Sequence, residues 1–391
     1  MSDAKNDTSR PQYSPYVEIS LDNLLHNSAR IRQALPREVG IIAVVKDSSY
    51  GCGGLLIAET LERGGDVAFF AVARPVEAIA LRKFGITLPV LVLGMAAEEE
   101  LRHGADNRVT FALNDLSEID RWESCGVNVN FHLNIDTGMG RMGLLPDEID
   151  TLIDRLNKAR NIRIGGAFTH MANADEPNTR TVARQLERFQ GGIDKLRAGG
   201  HPPAHIHYGN TATFLRFPLN GCTLARPGIA LYGCKPDPAQ EFDIDLKPVA
   251  SLISRVVKMK KVSAGTPVSY GGNYVTDTDT WIATIPVGYA HGLPRYLNGK
   301  GSVLIGGKRY RIAGNVTMDY IMADAGPAPS ISVGDEATAI GTQGGESVTP
   351  DDVALIGNTI GYEVLCNLGT TIDRFYTRNG KVVCHEPGAV Y

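Results

Sequence analysis

The stretch "GIIAVVKDSSYGCGG", residues 40–54, decides how the fold is read. Gly40 to Val45 is a short apolar run, β-branched at Ile41, Ile42, Val44 and Val45, which is the pattern of a buried strand. Lys46 ends the run, and a lysine sits there only where its charge has somewhere to go. The chain then turns polar and glycine-rich before an amphipathic segment, "LLIAETLERGG" (55–65). Strand, polar turn and helix together make one unit of an alternating pattern.

The pattern repeats outward from that unit. Further apolar runs are "DVAFFAVA" (66–73), "LPVLVLG" (88–94), "RVTFAL" (108–113), "VNVNFHLNID" (127–136), "IRIGGAFTH" (162–170), "HIHYGN" (205–210) and "TLARPGIALYG" (223–233). Amphipathic segments such as "PVEAIALRKFG" (75–85), "DLSEIDRWESCG" (115–126) and "TRTVARQLERFQGGIDKLRAGG" (179–200) lie between them. Near-continuous apolar strands joined by helical crossovers imply a parallel sheet, and eight such units imply a closed (β/α)8 barrel. No glycine-rich dinucleotide fingerprint follows the first strand, which counts against an open nucleotide-binding sheet.

After about residue 245 the grammar changes. "VASLISRVVKMKKVSAGTPVSYGG" (249–272), "WIATIPVGYA" (281–290), "GSVLIGGKRYRIAGNVTMDYIMADA" (301–325) and "SVGDEATAIG" (332–341) are short runs with turn signals between them. They predict a mainly antiparallel β domain, interrupted late by a helical piece, "VTPDDVALIGNTIGYEVLCNLG" (348–369). The division that follows is a flexible tail over 1–14, an α/β barrel over 15–240 and a β domain over 241–391. A chain of 391 residues is long enough for two such cores.

A net charge of −4 and a pI near 6.2 give no electrostatic reason to bind nucleic acid or acidic lipid. No apolar stretch approaches the roughly 20 residues of a membrane helix, and the polar N-terminus is not a signal peptide. Six cysteines are scattered without a CxxC pair, which fits a cytoplasmic protein with reduced thiols and no metal site.

In such a barrel, chemistry sits at the C-terminal ends of the strands. Lys46, Asp136, His170, Asn210 and Arg226 all fall at such positions and so converge on one rim. A lysine in a partly desolvated barrel mouth loses proton affinity and becomes a nucleophilic amine. It can then condense with a carbonyl substrate, as in an aldolase, or hold pyridoxal phosphate. The bare position does not choose between them.

The surrounding residues carry a resemblance. "AVVKDSSYG" is similar to the alanine racemase signature, usually close to AVVKANAYGHG, of fold-type III pyridoxal-phosphate enzymes. The likeness continues in family order through "DTGMGRMG" (136–143), "THMANAD" (169–175), "GNTAT" (209–213) and "ARPGIALYG" (225–233). It runs on through "VSYGGNY" (268–274), "IPVGYAHG" (285–292), "VTMDYIM" (316–322) and "NTIGYEVLC" (358–366). The family fold, a barrel followed by a β domain, agrees with the division above.

The resemblance implies roles by position. Lys46 would hold the pyridoxal 5′-phosphate cofactor covalently. Tyr50, a helical turn on, together with Thr211, Gly228, Ile229 and Tyr362, would hold its phosphate. Arg226 would face the pyridine nitrogen, supported by His170 with Asn210 nearby; a permanently charged arginine there disfavours a protonated ring. Racemisation needs a proton removed from one face of Cα and returned to the other. Lys46 would serve one face and Tyr270 the second, arriving from the other subunit of a head-to-tail homodimer. Tyr289 and Met318 would likewise cross the interface and narrow the entrance, and Arg141 would receive the carboxylate of an amino-acid substrate.

Three departures bear on this. Asn134 stands where many family members carry a carbamylated lysine that fixes the arginine; a neutral amide supplies no charge, leaving either a bound anion such as chloride or a loosely held Arg141. Thr317 stands where cysteine is common, and His291 replaces an acid. They leave serine and the basic amino acids as alternative substrates to alanine. A non-catalytic pyridoxal-phosphate-binding protein is a more distant reading, since such proteins lack the β domain. Basic amino-acid decarboxylases share the architecture, but their cysteine-and-aspartate motif is absent.

Overall fold

The computed structural model describes residues 9–176, 180–369 and 371–389. The alternation seen in the sequence becomes strands β2 (Gly40–Val44), β3 (Phe69–Val72), β4 (Val90–Val92), β5 (Val109–Leu113), β6 (Val129–Asn134), β7 (Ile162–Phe168), β8 (His205–His207), β9 (Gly209–Asn210) and β10 (Leu224–Arg226), after a first strand β1 (Tyr16–Ser20). All neighbours from β2 to β10 pair in parallel, in the order β8-β7-β6-β5-β4-β3-β2-β10-β9.

Closure comes from "HIHYGN". Its first half pairs with β7 and its second half with β10, with only Tyr208 between them. The Thr223 N–H donates 2.8 Å to the Ile206 carbonyl across the same seam. The eight sequence runs thus form one barrel whose seventh position is split by a kink. Buried Phe70, Leu91, Phe111, Phe131 and Ile41 on these strands belong to a core that continues into the second domain. Because the sheet is all parallel, every strand delivers its C-terminal end to one rim.

The second domain is antiparallel-rich, as its sequence suggests. Its main sheet runs Lys308–Arg311, Ser302–Ile305, Glu336–Gln343, Ala250–Arg255, β1, Arg374–Arg378, Lys381–Glu386. A three-stranded sheet of Lys258–Val262, Thr280–Ile285 and Ile321–Gly326 packs with it. The helical piece forms Pro350–Gly357 and Gly361–Cys366.

One assignment needs correction. Residues 15–20 do not belong to the barrel: β1 pairs antiparallel with Ala250–Ile253 and parallel with Arg374–Thr377, so this first strand belongs to the β domain. Its "YVEIS" buries Tyr16, Val17 and Ile19 there. Ser20 then caps the helix Leu21–Ala34, accepting from the Asn23 N–H at 3.2 Å. On that helix, buried Asn27 donates to the carbonyls of Leu231 (3.1 Å) and Lys247 (2.8 Å) and accepts from the Lys247 N–H, pinning the connection between the domains. Of the expected tail, residues 1–8 lie outside the described residues, and Arg10 pairs with Glu18 at 2.7 Å. Among the described residues no helix is long and apolar enough to cross a membrane.

Candidate active site

The barrel mouth holds a cavity of about 430 Å³ lined by Lys46, Tyr50, Arg141, His170, Asn210, Thr211, Arg226, Gly228, Ile229 and Tyr362, with Asn134 and Asp136 at its edge. With Asn134 and Asp136 it gathers twelve of the residues singled out in the sequence. Tyr270, Tyr289 and Met318 are not among its lining.

Lys46 lies one residue beyond the end of β2, after Val45, and its Nζ lies 3.3 Å from Asp47 Oδ2 and 5.8 Å from the Tyr50 ring centre. The turn it begins is left-handed: Asp47, Ser48, Ser49 and Tyr50 have φ of 52°, 53°, 53° and 56°. Tyr50 is therefore one turn on from Lys46, but on a helix of the wrong hand for L-residues. Each such residue costs about 1–2 kcal/mol, so surrounding contacts must hold the segment. Glu77 accepts from the Asp47 N–H at 2.7 Å, and the Tyr50 ring lies 4.9 Å from Tyr232 and 5.8 Å from Tyr362. Tyr232 is itself fixed by its bond to the Val44 carbonyl at 2.8 Å.

From the strand next to β2, β10 delivers Arg226 into the barrel interior, where it is buried. Its guanidinium donates to the carbonyls of His207 (2.6 Å) and Thr169 (2.8 Å) and to His207 Nδ1 (2.7 Å), with His170 Nδ1 farther off at 3.4 Å. His207 Nε2 in turn meets His132 Nδ1 at 2.8 Å. Since arginine only donates, the chain has one sense: Arg226 to His207, then His207 to His132. Burial pushes His132 down to about 3 and His207 well below the usual histidine range, so both imidazoles are neutral. Burial, with the Arg226, Arg141 and Lys46 cations adding to it, brings His170 down to about 3 as well. Burial also lowers Arg226, to about 10, which leaves it a cation at neutral pH. The resemblance implies His170 as its support; the shorter contact comes from His207, which the sequence places only within a strand.

Asn210 caps the helix Thr211–Arg216, accepting from the Thr213 N–H (2.9 Å) and hydroxyl (2.8 Å). The cap sets Thr211 facing Gly228, whose N–H donates to Thr211 Oγ1 at 3.3 Å. Gly228 must be glycine: a Cβ there would fall 2.5 Å from the Tyr50 hydroxyl. Asp136 does loop work, accepting from the N–H groups of Gly138, Met139 and Gly140 and so shaping the segment that carries Arg141.

Asn134 spends both amide protons, on Asn114 Oδ1 (2.8 Å) and the Met142 carbonyl (3.0 Å). It has none left for an anion, so the structure favours the loosely held Arg141: its side chain has no hydrogen bond or ion pair among the described residues. A free guanidinium at the lip, with Lys46 and Arg226 below, makes the cavity electropositive.

Both halves of the chain match family models: "Alanine racemase, N-terminal domain" over residues 19–236 and "Alanine racemase, C-terminal domain" over 249–376. The chain belongs to the alanine racemase family. It is 38% identical over 364 residues to the alanine racemase of Geobacter sp. strain M21, covering 90% of this chain and 96% of that one. The alanine racemase of Bacillus anthracis, solved with bound L-Ala-P, superposes with a TM-score of 0.88 at 34% identity, over 97% and 99% of the two chains. That of Clostridium difficile 630 gives 0.90 at 33%, over 97% and 100%.

In this family member the three remaining residues lie on the β domain. Tyr270, Tyr289 and Met318 are 73%, 42% and 54% exposed. They share one neighbourhood: Asn315 donates to the Tyr270 carbonyl at 2.8 Å, and the Tyr289 N–H donates to the Thr317 carbonyl at 3.0 Å. His291, in place of an acid, still closes the Tyr289 turn by accepting from the Gly288 N–H at 3.1 Å.

Proposed function

We propose that the chain racemises alanine, with pyridoxal 5′-phosphate in the barrel mouth and Lys46 and Tyr270 as its two bases. One observation carries the cofactor reading. The hydroxyl protons of Tyr50, Tyr362 and Thr211 have no acceptor among the described residues, yet all three line the cavity. Ile229 opens a short helix, so its N–H also lacks an intrahelical acceptor, and Gly228 leaves the backbone bare beside it. Unspent donors around a backbone cradle suit a phosphate, and an amine in the same cavity suits an aldehyde. The residues therefore fit the group.

When bound, pyridoxal phosphate withdraws electrons from Cα of an attached amino acid and lowers the cost of removing its proton. The protein supplies the rest. Lys46 Nζ takes up or returns a proton on one face of Cα. Arg141 binds the substrate carboxylate as an ion pair and fixes which face meets which base. Arg226, a cation that donates to carbonyls and neutral imidazoles, would offer a remaining N–H to the ring nitrogen and has no proton-accepting atom to offer it.

Tyr270 takes the second face. Its exposure, and its absence from the lining of its own cavity, support a site completed by the Tyr270 of a second copy in a head-to-tail homodimer, with Tyr289 and Met318 narrowing the entrance. The substrate is a small molecule, and free buried Cys52, Cys125, Cys222 and Cys234 support a cytoplasmic setting. We keep a domain division near residue 240, with β1 moved to the β domain.

The test is chiral chromatography of the cofactor-loaded protein with single enantiomers of alanine, serine, lysine and arginine. Dominant turnover of alanine supports the reading. Preference for another amino acid overturns the substrate, and cofactor binding without turnover overturns the activity.

A further inference from the structure

Arg374 lies on the β-domain strand Arg374–Arg378 and is 3% exposed, yet no carboxylate is among its hydrogen-bond partners. It is satisfied by carbonyls alone. Nε and Nη2 both donate to the Gly51 carbonyl, at 3.1 and 3.0 Å. Nη2 also reaches the carbonyls of Leu368 (2.9 Å) and Gly369 (2.7 Å), and Nη1 that of Ile372 (3.3 Å).

Gly51 is the residue immediately after the left-handed run Asp47–Tyr50, and it is itself left-handed at φ 84°. Its own N–H closes back on the Asp47 carbonyl at 3.1 Å, and the Gly53 N–H closes on Ser48 at 2.8 Å. So the carbonyl that Arg374 grips terminates the turn that presents Lys46 and Tyr50. Tyr376, two residues along and therefore on the same strand face, stands against Gly53, where a Cβ would fall 1.8 Å from its hydroxyl. Gly51 is closed in from another side by the Leu365 carbonyl, 2.3 Å from where its Cβ would be.

We propose that Arg374 is a positioning residue for the cofactor site. Through the Gly51 carbonyl it holds the strained turn in its left-handed form, and with it the Lys46 amine and the Tyr50 hydroxyl. The β domain of a chain then builds that chain's own barrel site, besides whatever it lends to a second copy. A guanidinium suits this task because it brings several donors in a fixed plane to one carbonyl and its neighbours. The proposal rests on the cofactor reading above.

The experiment uses the full chain as Arg374→Met, which keeps length but donates nothing, and Arg374→Lys, which keeps charge and one point of donation. Hydrogen–deuterium exchange at residues 47–53 is measured on the cofactor-free chain, and pyridoxal 5′-phosphate affinity and the visible circular dichroism of the Lys46-bound cofactor on the loaded chain. Arg374→Met is expected to raise exchange at 47–53 and to weaken the cofactor by about tenfold or more, as the loss of a charge-assisted bond to the turn implies. Arg374→Lys should recover part of both, and both variants should change the circular dichroism, which a loss of global stability alone would not do.

Wild-type exchange at 47–53 together with affinity within about twofold overturns the proposal, in either variant. If Arg374→Met gives no melting transition, Arg374→Lys decides alone by the same limits. A wild-type chain that takes up no pyridoxal phosphate overturns the cofactor reading instead, and exchange on the cofactor-free chain then decides whether Arg374 holds the turn.

Discussion

Gly228→Ala tests whether Tyr50 is held where a phosphate needs it. The new Cβ would lie 2.5 Å from Tyr50 Oη, 3.2 Å from Cζ and 3.7 Å from the Val44 Cβ. The first contact is about 1 Å short of a normal separation, so something must move. Tyr232 behind the ring is tied to Val44, and Tyr362 lies on another side. The Tyr50 hydroxyl is the part free to yield, and it yields away from the cradle. The overpacking itself costs about 1–3 kcal/mol of stability. Losing one charge-assisted hydrogen bond to the phosphate costs about 1.5–3 kcal/mol of binding, a rise of roughly 10- to 150-fold in the Kd for pyridoxal phosphate.

Titration of the cofactor-free protein, followed by fluorescence quenching, measures that Kd. A double-mutant cycle with Tyr50→Phe isolates the contact. Removing the hydroxyl oxygen removes the 2.5 Å contact and the bond together, so adding Gly228→Ala to Tyr50→Phe should cost little more than Tyr50→Phe alone. Strictly additive losses, or a Gly228→Ala protein with wild-type Kd, would refute the placement of Tyr50.

If each site takes Lys46 from one copy and Tyr270 from the other, Lys46→Ala and Tyr270→Phe are each inactive but complement when mixed and refolded. Half the dimers are then mixed and one of their two sites is intact, so about a quarter of wild-type activity returns; no recovery would place both bases in one chain. His132 and His207 are neutral in the fold, whereas in the unfolded chain histidine binds a proton below about 6.5. The unfolded state therefore holds more protons between about 6.5 and 3, and stability falls as pH drops through that window, by about 2 kcal/mol per neutral imidazole at pH 5. Urea midpoints at pH 7 and 5 should show it, and His132→Gln, which still accepts from His207, should flatten the slope; equal slopes would count against a neutral His132. Asn210→Ala removes a helix cap and should lose about 1 kcal/mol and roughly 2–4 °C in Tm, with Asn210→Asp near wild type; an unchanged melting curve for the alanine variant would show the cap to be idle.

The barrel was legible because a parallel strand covered on both faces must be apolar throughout, so "GIIAVV" and "LPVLVLG" announce themselves one by one. The rim followed from topology, since every strand end in such a barrel shares a side. Strand β1 was not legible: its partners Ala250–Ile253 and Arg374–Thr377 lie far along the chain, and a local pattern holds no record of pairing. Nor does any periodicity reveal the hand of the turn after Lys46. Aspartate and serine in "KDSSYGCGG" tolerate left-handed backbone, but they do not demand it.

The same limit explains which parts of the site the sequence left out. Tyr50, Thr211 and Gly228 fall beside turns with short-range signals, whereas the partners that hold them in place are remote. Arg226 donates to His207 and, through it, is linked to His132, two strands along the sheet and 75 residues from His207. Arg374 acts on Gly51 from 323 residues away. In "TIDRFYTRNG" that arginine looks like one more charge on a β-strand, and only the docking of the β domain against the barrel turns it inward. The groups that touch a ligand cluster at strand ends, where a sequence can point to them. The groups that hold those in place are set by how the two domains pack, and Asn134 illustrates the difference: as a residue type it only lacks a charge, while in place it ties the Arg141 loop to Asn114 and leaves the arginine free to take a carboxylate.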